Sequence, residues 1–424
     1  MSPMQDRVPQ ARRRIRRIRR IALATAFTLG AVGALIAGCM SRQVSVTSTS
    51  APSGFSVVSD MSPATIAEGQ RVFRFDTFGD EQFWTDTARM HEVVQQAVSP
   101  TTALSVGLKV DAEAIPAEVA QAIKNGQVDL NSPATTVTLL KLNAVVGVKG
   151  TVGTTPQGKD TLLRLGITCA LCHSTVDNSF AKGIGKRLDG HANRDLNVGA
   201  IIALSPAITP AQKAVYNSWG PGKYDPRYNI DGKNTPLVLP PIYGLAQVRN
   251  ETYTAEGPIS YWNAYVAVTQ MHGRGNFSDP RIGLDVRQSP DMVTSKLAFL
   301  RSYQHSLTAP AAPAGSFDRQ MADRGRAVFG RSCAQCHVGT TNTDNNSGVL
   351  HAPSETGMDG AYAARTANKG YRTTPLRGLL QHAPYFHDGS APTLEAVVDH
   401  YDRVRSLRLS AQQKADLVAF LKSL

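Results

Sequence analysis

The sequence predicts a mainly α-helical protein of two similar domains, the first of them opened by a long mixed insertion with a short β-hairpin. Three observations predict it. The pattern Cys-x-x-Cys-His occurs twice, as Cys169-Ala170-Leu171-Cys172-His173 and Cys333-Ala334-Gln335-Cys336-His337. A helix with one apolar face runs into the second copy, and its Gly-x-x-Val-Phe stretch is echoed early in the chain. The chain closes on another helix with an apolar side. On a helical turn, thiols at i and i+3 share a face and can each form a thioether with a vinyl group of haem, while the histidine at i+4 reaches the iron. The fold class is therefore two cytochrome c-type haem domains. Two covalently bound haem c groups would be held by Cys169, Cys172, Cys333 and Cys336, with His173 and His337 as proximal iron ligands. A redox disulfide and a four-thiolate zinc site remain open as readings of Cys-x-x-Cys. Neither accounts for a histidine in the same place twice.

Residues 1–38 read as a lipoprotein signal peptide. Eight arginines lie between Arg7 and Arg20, an apolar run covers 21–37, and Leu35-Ile36-Ala37-Gly38 leads to Cys39. Cys39 is the expected lipidation site, and an uncleaved membrane anchor is the alternative. Met40 after the cysteine resembles lipoproteins sorted to the outer membrane rather than the inner one. Haem thioethers of this kind are made outside the cytoplasmic membrane, so export and the two motifs agree, and the expected location is the periplasmic side of the cell envelope, with the membrane reached through lipid. The formal charge of +12 is mostly targeting signal: removing a segment of net +7 leaves +5. No nucleic-acid partner is inferred.

Residues 39–58, rich in Ser and Thr, suit a flexible tether. The N-terminal haem domain is placed at 59–307. It opens with Glu68-Gly69-Gln70-Arg71-Val72-Phe73, the echo of Arg324-Gly325-Arg326-Ala327-Val328-Phe329. Phe329 precedes its motif by four residues and Phe73 precedes Cys169 by 96, so an insertion separates the first helix from its motif. Within it, Ala117–Lys124 is expected to be a helix stopped by Asn125-Gly126, and 135–152 is β-rich enough for a hairpin. From Trp219 to Gly283 the chain is dense in Tyr, Trp, Pro and Gly and reads as a long ordered loop region that builds sites.

Residues 308–316, Thr-Ala-Pro-Ala-Ala-Pro-Ala-Gly and the following Ser, form the Pro/Ala linker. The C-terminal cytochrome c domain follows at 317–424. Met321, Gly325, Val328 and Phe329 fall on one helical face ending before Cys333. Ser410 and Gln413 make a capping-box pattern ahead of Leu417, Val418, Leu421 and Leu424. These two helices are expected to cross, with Gly325 allowing close approach.

Tyr371-Arg372-Thr373-Thr374-Pro375-Leu376-Arg377-Gly378, then Ala383-Pro384-Tyr385-Phe386-His387-Asp388-Gly389-Ser390, then Thr393-Leu394-Glu395 through Tyr401, closely resemble the C-terminal domain of the bacterial dihaem cytochrome c peroxidase and MauG-like family. The resemblance covers roughly residues 325–424 and the two-motif spacing, and fades across the insertion. It implies that the second haem transfers electrons and the first is peroxidatic. Where the peroxidases place a methionine ligand, 14 residues past His387, this chain has Tyr401, as MauG-like members do. A tyrosinate favours ferric iron and a low potential. An ordinary half-buried aromatic is the competing reading, with Met358 as fallback ligand. His191, 18 residues after His173, matches a displaceable distal histidine, and His272 is a second candidate. Glu251 and Glu256 are the candidate acid-base groups for moving a proton between the oxygens of peroxide. Trp219 or Trp262 would stand for the family's relay between haems, Arg377 for a propionate partner, and His387 and Asp388 for a turn near the haem. Calcium between the domains is a family feature, and Thr373 and Pro375 match its carbonyl step, although no acidic loop is evident.

The function expected from these residues is a dihaem c-type oxidoreductase that reduces hydrogen peroxide at the N-terminal haem. Electrons would come from a small redox protein or a quinol-linked donor through the C-terminal haem. Two alternatives stand beside it: a dihaem electron carrier without a substrate site, and a MauG-like oxidase of a protein or organic substrate.

Overall fold

In the computed structural model, which describes residues 45–424 apart from 53 and 56–58, the two halves are each built on one crossing of two helices. The signal segment, Cys39 and the first residues of the tether lie outside the described residues. In the first half, α1 (Pro63–Phe75) starts at Ser62, whose side chain accepts from the Thr65 amide, with Pro63 as its first residue. It crosses α2 (Leu297–Ser306) at Gly69, where a Cβ would run into the carbonyl oxygen of Phe299. In the second half, α3 (Arg319–Ser332) crosses the final helix at Gly325, where a Cβ would run into the carbonyl oxygen of Asp416. Between them lies α4 (Leu394–Val404), and the final helix, α5 (Ala411–Lys422), carries the expected capping box. Gly69 and Gly325 therefore do the same job, and Val72-Phe73 and Val328-Phe329 fill equivalent buried places one turn later. The six-residue echo is a structural repeat.

Each crossing has its own core. Val72, Phe73, Tyr261, Tyr265, Leu300 and Tyr303 belong to the first, and Val328, Phe329, Leu394, Val398, Leu417 and Phe420 to the second. A third cluster, with Trp84, Val137, Leu140, Leu162 and Leu165, belongs to the insertion. There Ala117–Lys124 is the expected helix, ending at Asn125 and a left-handed Gly126. The hairpin is displaced. Pro133–Lys141 is a helix capped by Ser132, with Thr136, Val137, Leu139 and Leu140 buried. β1 (Val148–Thr154) and β2 (Asp160–Ile167) make the antiparallel pair instead. The β-branched content of 135–152 misleads because a Ser-Pro cap and apolar residues at helical spacing outweigh intrinsic preference.

The insertion serves the first motif directly. β2 feeds into Thr168 and Cys169, Asp80 accepts from the Ile167 amide at 3.2 Å, and Gly147 lets the chain pass against the backbone of Leu171. Residues 219–283 are less loop-like than expected, because Ile259–Thr269 is a helix with nine buried residues. Apolar all round, it shows no periodic face. At the tether, Ser45–Thr47 pairs antiparallel with Val349–His351.

Residues 45–424 form one contact unit across the 308–316 connection. Backbone bonds join the halves from Val238 N to His387 O at 2.8 Å and from Arg372 N to Tyr253 O at 2.9 Å. Arg365 donates to Asp225 at 2.8 Å and Asp231 at 2.7 Å, with the arginine and Asp225 both buried. Among the described residues, no helix is long and apolar enough to cross a membrane.

Candidate functional site

His173 ends a four-residue helix, Ala170–His173, and its Nδ1–H donates to the carbonyl of Pro240 at 3.0 Å. That bond fixes the tautomer and leaves Nε2 with its lone pair free. Burial drives the imidazole down to about 4, assisted by the nearby Arg194 charge, so it is neutral at physiological pH, as a metal ligand must be. Burial pushes the thiols of Cys169 and Cys172 up to about 12.

The second motif repeats this arrangement. Cys333 caps α3, and His337 Nδ1–H donates to the carbonyl of Asn342 at 3.0 Å, from a turn in which Asn342 is left-handed. Burial again lowers the histidine and raises the Cys333 thiol, the latter to about 11. All four cysteines are free, so neither pair is a disulfide. Among the described residues the four thiols do not gather into one metal-ligand cluster. What fits is a pair of separate sites, each offering two thiols and one neutral, oriented imidazole nitrogen, which is the donor set of a covalently held haem.

Tyr401, on α4, lies beside Cys336 and Cys333. Burial pushes its phenol up to about 12, and its hydroxyl makes no hydrogen bond among the described residues. It is available to a ligand next to the second motif. Met358 follows the short helix Pro353–Thr356, after a left-handed Gly357.

The other residues singled out in the sequence separate clearly. Asp189 accepts from Ser174, Arg74 and Tyr303, which anchors the turn that carries His191. The amide of the adjacent Gly190 donates to the carbonyl of His173. The half-buried His191 ring packs edge-on against Tyr243 at 5.1 Å, and burial lowers its pKa. His272 stacks on Phe83 of the insertion at 3.7 Å. Glu251 is buried with no hydrogen bond to either oxygen, 3.6 Å from His305 Nε2, and burial raises its pKa. Glu256, equally buried, has both oxygens taken: Arg227 Nη2 lies at 2.7 and 2.8 Å, Thr254 Oγ1 at 3.0 Å and the Ala367 amide at 2.9 Å. That carboxylate is part of a structural ion pair, with no oxygen left over for proton transfer.

Arg377 donates to the carbonyls of Gly244 and Thr340, both at 3.1 Å, tying the halves together just past the second motif. His387 bonds Tyr371 at 3.0 Å and stacks on its ring, while Asp388 accepts from the Ser390 amide in the turn beyond. Trp219 donates to Asn234 within a cluster of Tyr216, Tyr224 and Tyr228. Trp262 lies in the first core with its Nε1 buried and unpartnered. The Thr373 carbonyl, on the calcium-like step with Pro375, accepts from Thr343 Oγ1 at 2.6 Å.

Sequence reasoning missed two groups. His351 is held between Asp344 at 3.0 Å and Glu355 at 3.1 Å, near Cys336. The hydrogen bond to Asp344, then that to Cys336, pushes it up to about 10, so it carries a charge beside the second motif. Arg194 is the other, with buried Nε and Nη1 atoms that have no partner. Neither belongs to a spacing pattern that would have marked it.

Among known proteins, residues 370–408 match a family model described as RoxA-like, cytochrome c-like. The chain is 32% identical over 163 residues to the methylamine utilization protein MauG of Methylorubrum extorquens, covering 30% of this chain and 43% of that one. It is 31% identical over 147 residues to the cytochrome-c peroxidase IdrP1 of a Pseudomonas species, covering 24% and 39%. A solved MauG-like protein associated with microbial copper homeostasis is 21% identical with a TM-score of 0.33, covering 45% of this chain and 74% of that one. The chain thus spans less than half the length of the curated relatives it matches. The match to the cytochrome c-like family model and the similarity to MauG and to a cytochrome-c peroxidase imply covalently bound haem c.

Proposed function

We propose that the chain, which is similar to MauG and to a cytochrome-c peroxidase, is a dihaem c-type oxidoreductase of that group that reduces hydrogen peroxide. Cys169, Cys172 and His173 would hold the haem that supplies the peroxide chemistry, and Cys333, Cys336 and His337 the haem that would carry electrons to it from a small redox protein or a quinol-linked donor. The protein is held by lipid on Cys39 at the periplasmic side of the envelope, on the outer membrane. One observation carries the reading: in both motifs the histidine commits Nδ1 to a backbone carbonyl at 3.0 Å and keeps Nε2 free.

When bound, the haems supply the one-electron and oxygen-bond chemistry. The chain supplies orientation, dryness and proton control. The carbonyls of Pro240 and Asn342 hold the two imidazoles in one tautomer and increase their basicity as ligands. Of the two candidate acids, Glu251 is the one able to hold and release a proton, since its oxygens are unclaimed and burial favours its neutral form.

Electron paramagnetic resonance of the oxidised and half-reduced protein tests this. High-spin iron that disappears on peroxide addition is expected. Two low-spin irons indifferent to peroxide would identify an electron carrier instead. The unclaimed hydroxyl of Tyr401 beside the second motif favours a second reading, oxidation of a protein or organic substrate. In that case peroxide consumption would not accelerate with reduced cytochrome.

A further inference from the structure

Four buried or half-buried arginines in this fold each pair with a carboxylate. Arg187 has Asp111 at 3.0 Å, Arg227 has Glu256 at 2.7 Å, Arg281 has Asp279 at 2.8 Å, and Arg365 has Asp225 at 2.8 Å. Arg194 has no such partner. Its Nη2 donates to the carbonyl of His382 at 2.9 Å, while Nε and Nη1 are buried and bonded to nothing. The ionisable groups that act on its charge are the phenols of Tyr253, Tyr243 and Tyr385, with no acid among them, and burial pulls its pKa down. A guanidinium cannot escape this cost by losing its proton, because its intrinsic pKa is too high, so the site calls for an anion. The free Nε–H and Nη1–H lie on different edges of the planar guanidinium, each edge shared with Nη2, and either can donate to one oxygen of a carboxylate.

Its location says which carboxylate. The amide of Asn193 donates to the carbonyl of Cys172 at 2.9 Å, which sets Arg194 beside the first motif, and its charge is felt at His173. Resting on the haem reading above, we propose that Arg194 binds a propionate of the haem attached to Cys169 and Cys172, through a free edge of its guanidinium. Each haem brings two propionates, and this one supplies the missing countercharge. Arg194 is then a cofactor-positioning residue that raises the potential of the first haem by keeping a positive charge near it. This goes beyond Arg377, whose guanidinium is engaged with two carbonyls.

The test uses the full chain matured with haem in a periplasm, as wild type, R194Q and R194K. Intact mass gives the haem count, resonance Raman spectra report the propionate bending bands, and a spectroscopic redox titration gives the two midpoints. In R194Q, one propionate band is expected to shift and one midpoint to fall. R194K keeps the charge but loses the fork, so its midpoint should stay nearer wild type while the band still shifts. Unchanged bands and midpoints in both haem-loaded variants overturn the assignment alone. A wild-type chain without the mass of haem at Cys169 and Cys172 overturns the haem reading and the assignment with it. Should R194Q fail to take up haem, the band in R194K decides.

Discussion

Glu251 and Glu256 are five residues apart and both buried, yet their chemistry is opposite. Glu256 answers the charge of Arg227, so Glu256→Gln leaves that arginine buried without a counter-ion. A loss of about 3–5 kcal/mol is expected, measured by chemical denaturation. Glu251 has no hydrogen bond to satisfy it, and burial raises its pKa above the unfolded value of about 4.3. Between those two values the native chain holds a proton that the unfolded chain has released, so this group makes stability fall as pH rises through that window. Glu251→Gln should flatten that decline, read as the denaturation midpoint followed from acid to neutral pH. An equal slope in the two proteins would mean that Glu251 titrates normally. The sequence marks both glutamates as candidates because it shows residue type and neighbourhood. It cannot show that Arg227, 29 residues before Glu256, already occupies one of them.

At the scale of elements, the capped helices were legible. Ser410 with Gln413 and the apolar side of α5 lie within one turn or two of each other, and their signals do not depend on the rest of the chain. The Gly-x-x-Val-Phe echo was also legible, and the two crossings give it meaning. Gly325→Ala would push a methyl into the carbonyl of Asp416, and Gly69→Ala into that of Phe299. Each should cost about 1–3 kcal/mol through backbone displacement, seen as a lowered thermal midpoint. Gly330→Ala, on the same helix as Gly325 but facing open space, is the control and should be neutral or slightly stabilising. Two elements were not legible. The helix Ile259–Thr269 is apolar all round and carries no face to detect, and the helix at Pro133–Lys141 is hidden under β-branched residues that favour strands when taken alone.

Across the whole molecule, the Pro/Ala stretch at 308–316 reads as a boundary, but the bonds that join the halves lie elsewhere, at Val238 to His387, Arg372 to Tyr253, and Arg365 to Asp225 and Asp231. Cleavage at an engineered protease site within 308–316 should therefore leave the two fragments together in gel filtration under native conditions. Separation into independent fragments would show that the covalent link holds them. The order of residues alone points to the cofactor class and to where it would attach, because the thioether and iron bonds need two thiols and an imidazole within five consecutive positions, and that requirement is written locally. The partners of those positions were decided only by folding: the carbonyls of Pro240 and Asn342 on the histidines, Tyr401 beside Cys333 and Cys336, the ion pair that withdraws Glu256, and the missing countercharge at Arg194. Each joins atoms from separate segments, and whether a polar group is paired or left free depends on which distant chain the packing brings against it.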